Sequence, residues 1–169
     1  MQGNAELFNA LGKIDPKKPY GTELFNALAR LTVSVAIEAV CLRWISQPLD
    51  ESEIWVYLVQ RASDDTAYPG QWHCPGSVMR PSEEIKEVFS RLSTREFGCD
   101  LLSQRFIADV NHPEEERGHF LSRVYLCTMK EKENNLRGKW FPAHHLPEVT
   151  VVSHRARIIP VALGAFLSD

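Results

Sequence analysis

The chain of 169 residues lacks most of the features that would commit it to a stapled, membrane or nucleic-acid class. Its four cysteines, Cys41, Cys74, Cys99 and Cys127, lie far apart with no C-x-x-C pair. That spacing argues against a zinc framework or disulfides and for buried reduced thiols. His144, His145 and His154 lack the i+4 spacing of zinc ligands, so no zinc is expected either. No apolar run reaches the roughly 18 residues that a membrane helix requires. The opening MQGNAE has neither the basic nor the apolar part of a secretory leader, which predicts a cytoplasmic protein. A net charge of -3 without a Lys/Arg cluster gives no electrostatic drive toward nucleic acid. What remains is a chain with 44% hydrophobic residues, enough for one sizeable core.

The most informative stretch runs from Tyr68 to Leu101, YPGQWHCPGSVMRPSEEIKEVFSRLSTREFGCDL. Ser82 after Pro81 predicts a helix N-cap, and Gly98 predicts the residue after the helix end. A helix of about four turns is expected between them. At 100° per residue Ile85, Val88, Phe89 and Leu92 form one stripe that should pack on a sheet. Glu96 falls in that stripe. A carboxylate there needs a partner, a metal or a frayed last turn that lets it reach water. Glu83, Glu87, Arg91 and Arg95 follow at i+4 on the other face and predict solvated ion pairs.

These residues resemble the signature of the Nudix hydrolases, G-x5-E-x7-R-E-U-x-E-E-x-G-U, where U is a large aliphatic residue. Counting back from Gly98 aligns Glu96 with the last box glutamate, Arg91 with the arginine, Glu83 with the first glutamate and Ser77 with the glycine. The lead-in also matches: a hydrophobic strand ending YLVQR, a loop, then GQWHCPGS. Leu92 and Arg95 occupy the other two glutamate positions, and Ser93 stands where an aliphatic residue is expected. FSRLSTREFG is similar to the altered box of the GDP-mannose mannosyl hydrolases, a Nudix branch with one Mg²⁺.

The resemblance implies a metal held by Glu96, with Ser77 and Asn134 as further ligand candidates, and Glu96, Arg91 and Glu83 as the catalytic set. One carboxylate predicts a single Mg²⁺ or Mn²⁺ site, weak until substrate phosphates add oxygens. Arg61 matches the substrate-binding arginine that ends the strand before the loop. Arg80 and Arg123 lie near two further substrate-binding positions of the branch. Its Gln-His pair falls at about Asn134 and Asn135, and asparagine is no base near neutral pH. Arg95 on the metal face would repel Mg²⁺ but can hold a diphosphate oxygen bidentately. Trp72 is either a wall for a base or sugar, or core; its size favours core.

The segment 1–30 lies outside the family pattern and precedes a catalytic domain expected over 31–169. ELFNAL recurs at Glu6 to Leu11 and Glu23 to Leu28, with Asn4 and Thr22 as caps of two short helices. They read as a lid on the core or as a homodimer arm, because Leu7, Phe8, Leu11, Leu24, Phe25 and Leu28 offer more apolar surface than they can bury among themselves. Leu31 to Arg43 and Glu53 to Arg61 read as strands, the second continuous in apolar residues and so central. Polar QPLDESE turns between them. Arg105 to Asn111 and Leu121 to Met129 read as strands joined by HPEEERGHF. That loop is a solvated tip or the source of the missing general base, with His119 and Glu115 as candidates. Lys139 to Ala143 reads as a last strand, and Ser153 to Phe166 as a helix that Pro160 kinks or starts.

The fold class expected is α+β: a Nudix-type α/β/α sandwich around a mixed sheet, with a short helical N-terminal extension. The function expected is Mg²⁺-dependent hydrolysis of a nucleoside diphosphate linked to another group, foremost a nucleotide sugar. The alternative is a catalytically silent module that binds a nucleotide or a protein partner.

Overall fold

The structure, a computed structural model, describes residues 2–19, 21–46, 52–130 and 135–168. Most of the expected QPLDESE turn, and the metal candidate Asn134, lie outside the described residues. Seven strands form one mixed sheet: β1 (Val33–Ser46), β2 (Ser52–Gln60), β3 (Trp72–His73), β4 (Gly76–Val78), β5 (Leu101–Glu115), β6 (Gly118–Met129) and β7 (Gly138–Pro142). The helices are α1 (Gln2–Leu11), α2 (Thr22–Ala29), α3 (Ile85–Leu92) and α4 (Ile159–Leu167). Among the described residues no helix is long and apolar enough to cross a membrane.

β1 is the axis of the sheet. Its first part runs parallel to β6, Val33 to Cys41 against His119 to Cys127, and antiparallel to the short β4 on its other side. Beyond that, Leu42 to Ser46 pairs antiparallel with β2. The apolar run of β2 is explained by its neighbours, since β1, β3 and β7 all pair with it and cover both of its sides.

Period-2 alternation sorts the strand residues into two cores. Ile37, Ala39, Cys41, Tyr57, Val59, Tyr125 and Cys127 face α3, where Val88, Phe89 and Leu92 form the expected stripe. Val40, Leu42, Val56, Leu58 and Val124 face the other way, against Ile158, Ile159 and Ala162 of the C-terminal helical segment. One helix on each face of a mixed sheet is the α/β/α arrangement expected from the sequence. Cys41, Cys74 and Cys127 are buried free thiols and Cys99 is half-buried, as their spacing predicted.

Several local expectations are corrected. Ser82 is not the cap of α3: it has φ 62°, and the helix starts at Ile85 with Glu84 before it. The Glu84 amide donates to the Glu87 carboxylate at 2.7 Å. Pro81 and Ser82 instead form the corners of a turn closed by the Glu83 amide donating to the Arg80 carbonyl at 3.1 Å, and positive φ at the third residue is what a type II turn requires. The last turn of the box helix is a π-helical turn, Ser93–Phe97, which ends at Gly98 in the left-handed conformation expected of it. A fixed 100° step therefore fails beyond Leu92, and the wheel left out Phe97, which is fully buried and stacked on Tyr57.

Asn4 lies inside α1 rather than at its cap, and Gly21 rather than Thr22 precedes α2. α1 leaves Leu7, Phe8 and Leu11 exposed, whereas Leu24, Phe25 and Leu28 are half-buried. The HPEEERGHF segment is mostly strand: β5 and β6 extend through it, leaving only Glu116 and Arg117 between the paired Glu115 and Gly118. A Cβ on Gly118 would overlap the Ala29 carbonyl, so this tip seats the end of α2. The C-terminal segment is a π-helical turn, His154–Ile158, followed by α4 with Pro160 in its first turn, where a missing N–H is harmless.

Leu92 sits at a position where the Nudix box has a metal-binding glutamate, yet it is 2% exposed inside the α3 core. Leu92→Ala is expected to lower unfolding free energy by about 2–5 kcal/mol in urea titrations, as for other leucine truncations in well-packed cores. Leu92→Glu, which restores the box letter, should destabilise at least as much, because it buries a carboxylate.

Candidate functional site

The box loop is held by one guanidinium. Arg91, at the end of α3, donates through Nε to Glu83 Oε1 at 2.6 Å and through Nη2 to Glu83 Oε2 at 2.8 Å. It also reaches Ser77 Oγ at 2.7 Å through Nη1 and the Val78 carbonyl at 3.2 Å through Nη2. Glu83 Oε2 accepts a further bond from the Arg80 amide at 2.9 Å. The hydrogen-bonded Arg91 guanidinium holds the Glu83 carboxyl below its ordinary value. These contacts tie β4, the Arg80 turn and α3 into one unit. The expected solvated i+4 pairing of Arg91 is replaced by this enclosed pair.

Beside this unit lies a cavity of about 480 Å³. Arg61, Arg80, Arg91, Arg95 and Arg117 line it, with Lys18, Phe25, Glu38, His112 and Glu115 among the other lining residues. Two of the arginines are set by Asp65 in the loop after β2: Arg61 Nη2 lies 2.8 Å from Asp65 Oδ2, and Arg117 Nη2 lies 3.3 Å from Oδ1. Burial opposes ionisation of Asp65, but bonds from Arg61 and the Ala67 and Tyr68 amides hold its carboxyl far below the usual range. Arg117 also donates to Thr66 Oγ1 at 2.7 Å and lies 5.9 Å from the centre of the Phe25 ring. Thus the N-terminal extension supplies part of the cavity wall.

The cavity also carries carboxyl and imidazole groups. Glu115 accepts hydrogen bonds from the Tyr68 hydroxyl and from Ser153; burial opposes its ionisation, and these bonds together with His112 and His154 hold its carboxyl below the ordinary value. His154 Nδ1 accepts from the Cys74 amide at 3.1 Å, and burial brings the ring down to about 4. Burial also keeps His73 and His112 low. These rings are therefore neutral at pH 7.

The sequence-derived candidates separate into two groups. Ser77, Arg61, Arg80, Arg91, Arg95 and Glu115 line the cavity. Glu83 stands behind it on Arg91. Trp72 packs in the core, edge-on to Phe141 at 4.8 Å. Arg123 pairs with Asp109 at 3.1 Å and covers the Phe106 ring, and His119 bonds Asn111 at 2.6 Å, so neither lines the cavity. Glu96 is half-buried; burial pushes its carboxyl up against the pull of Arg95, Arg137 and Arg61, and its backbone carbonyl accepts from Asn135 Nδ2 at 2.7 Å.

Among the described residues this donor set does not fit a resident Mg²⁺. The one carboxylate at the expected metal positions, Glu96, feels the positive charges of Arg95, Arg137 and Arg61, and Ser77 Oγ is taken by Arg91. Among the described residues no three acidic, histidine or cysteine side chains converge as metal ligands. A hard dication needs anionic oxygens and is repelled by guanidinium charge.

Glu38 and Arg117, which line the cavity, escaped the sequence reading, as did Asp65, which anchors two of its arginines. Glu38 did carry a signal. It interrupts the apolar series Ala36, Val40, Leu42 on one face of β1, where a charge is out of place.

No family model matches the chain, and no curated protein matches it in sequence. Solved structures do match in fold. A MutT NUDIX hydrolase from Burkholderia pseudomallei superposes with TM-score 0.58 at 20% identity, over 73% of this chain and 94% of that one. The NUDIX domain of Shewanella oneidensis NrtR, complexed with ADP ribose, gives TM-score 0.60 at 18% identity over 94% of this chain and 97% of that domain. An ADP-ribose pyrophosphatase from Streptococcus suis gives 0.57 at 20%, over 82% and 95%. The fold is that of the Nudix hydrolases.

Breaking the Arg91 pair by Arg91→Ala is expected to cost about 1–3 kcal/mol by leaving Glu83 and Ser77 without their donor. Because the Glu83 carboxyl is depressed in the folded state, its contribution is full above the unfolded carboxylate value of about 4.3 and is lost as pH falls below it. Denaturant titrations from pH 7 to pH 3 should therefore show a smaller acid loss in Glu83→Gln than in the unaltered protein.

Proposed function

We propose that this Nudix-fold protein binds a nucleoside diphosphate linked to a further group, foremost a nucleotide sugar, and that guanidinium groups hold the diphosphate. The observation that carries this reading is Arg95. It stands at a box glutamate position and lines the cavity together with Arg61, Arg80, Arg91 and Arg117. Planar guanidinium groups form bidentate, charge-assisted bonds to phosphate oxygens and supply the countercharge that a carboxylate-held metal would otherwise provide. The cavity size suits a small ligand of this class. The NrtR domain complexed with ADP ribose supports the same ligand chemistry on this fold.

A second reading keeps hydrolysis of the nucleotide sugar with Mg²⁺ or Mn²⁺. Glu96 favours it, as the one retained carboxylate at the metal positions of the box. The two readings differ in what EDTA does. Isothermal titration with GDP-mannose, UDP-glucose and ADP-ribose in EDTA is expected to show binding, and Arg95→Ala should weaken it about ten- to a hundredfold, the worth of a charged hydrogen bond. Binding that appears only with Mg²⁺, together with sugar or phosphate release that Glu96→Gln abolishes, would instead establish the metal-dependent hydrolase.

A further inference from the structure

Glu38 is the group in the cavity that the reading above leaves without a task. It lies on β1 and is 7% exposed. The register pairs it with Gly76 of β4, while its neighbour Ile37 pairs with Ser77. Alternation therefore puts the Glu38 side chain on the opposite face of the sheet from Ser77 and the Arg91 clamp. A Cβ on Gly76 would overlap Glu38 Oε2, so the carboxyl occupies the space that this glycine leaves open. Its Oε1 accepts one long hydrogen bond, 3.4 Å from Ser122 Oγ, and its Oε2 has no partner among the described residues.

A buried polar atom with no partner costs about 1–3 kcal/mol. That cost is removed when a ligand supplies the partner. Glu38 lines the cavity beside Ser122, His112 and Glu115, so its carboxyl borders the ligand space, with Oε2 itself closed to solvent against Gly76. We propose that Glu38 is a specificity-determining residue that reads the hydroxyl groups of the moiety carried beyond the diphosphate. The inference rests on the nucleotide-binding reading and adds the end of the ligand that this reading left unassigned.

The chemistry narrows the partner. A carboxyl next to Glu115 is poorly suited to phosphate, and an ammonium group there would meet the positive field of Arg61. Burial raises the Glu38 carboxyl to about 8, against Ser122 and Arg61, so at neutral pH it mostly keeps its proton. In that form it donates from one oxygen and accepts at the other. Adjacent hydroxyls of a sugar offer the matching acceptor and donor, and a bare nucleoside diphosphate has nothing to place there. The guanidinium groups and the carboxyl thus sort the two ends of one ligand.

The test measures a ratio. UDP and UDP-glucose, GDP and GDP-mannose, and ADP and ADP-ribose are titrated in EDTA into the unaltered protein, Glu38→Ala and Glu38→Gln. The unaltered protein is expected to prefer at least one sugar nucleotide over its matching diphosphate. Glu38→Ala should cut that preference about tenfold while leaving diphosphate affinity unchanged. Glu38→Gln, neutral and able to donate and accept, should stay within about threefold of the unaltered protein. An unchanged preference in Glu38→Ala overturns the proposal, as does equal weakening of both ligands, which marks a structural role. Loss in Glu38→Gln as large as in Glu38→Ala overturns it too, since charge would then be what Glu38 supplies. Failure of the unaltered protein to bind any of the six compounds overturns the nucleotide reading itself, and is distinguished by needing no variant.

Discussion

A guanidinium presents its donors in one plane, and Arg91 uses that plane to join parts of the chain that would otherwise be independent. Its bonds to Glu83, Ser77 and Val78 connect the end of α3 to β4 and to the turn that follows it. Because Glu83 is drawn to Arg91 and to the Arg80 amide, the chain cannot wind into helix at Ser82, and α3 starts later, at Ile85. The same bonds fix where Arg80 leaves the loop, and with it one wall of the cavity. Removing charge from either partner would leave the other half-buried and unpaired, which is why the pair behaves as a constraint more than as a source of net stability.

The sheet supplies the second level of order. Residues one apart on a strand point to opposite faces, so Ile37 and Glu38, or Gly76 and Ser77, are separated by the whole thickness of the sheet although they are covalent neighbours. The short β4 lets the cavity reach residues of both faces. Guanidinium groups from the box helix, the Arg80 turn, the end of β2 and the β5–β6 turn line it together with carboxyl and imidazole groups. The turn between β5 and β6 adds Arg117 and seats α2 through the close approach of Gly118 to Ala29. In this way the N-terminal segment, through Lys18 and Phe25, becomes part of the site.

The departures from the signature that this sequence resembles follow one physical logic. Leu92 belongs to the core, and its burial among apolar side chains makes a glutamate there untenable. Arg95 turns to the cavity. Glu96, between them and Gly98, is half-buried, and burial raises its carboxyl against the pull of Arg95, Arg137 and Arg61. The π-helical turn from Ser93 to Phe97 is what changes these directions, since a widened turn rotates every side chain away from its 3.6-residue position.

Hydrophobic period alone determined much of this protein. The strands around Val33 and Trp55, the buried stripe of α3 and the left-handed Gly98 follow from local rules that tertiary contacts did not overturn, and the α/β/α layering is what the resemblance implied. The resemblance located the box loop and named Arg61, Arg80, Arg91 and Arg95, all of which line the cavity. Charge at a core position in β1 even flagged Glu38, to a reader who followed one face of the strand. Local rules failed at Ser82 and at the loop that is mostly a continuation of β5 and β6, whereas the size of Trp72 had favoured the core position it takes. In both failures a distant partner decides: Arg91 takes Glu83, and the pairing of β5 with β6 extends almost to Glu116. Which arginines converge, and that Glu38 meets their cavity from the other face, was left to the tertiary structure. Such contacts join residues dozens of positions apart, and no short-range periodicity encodes them.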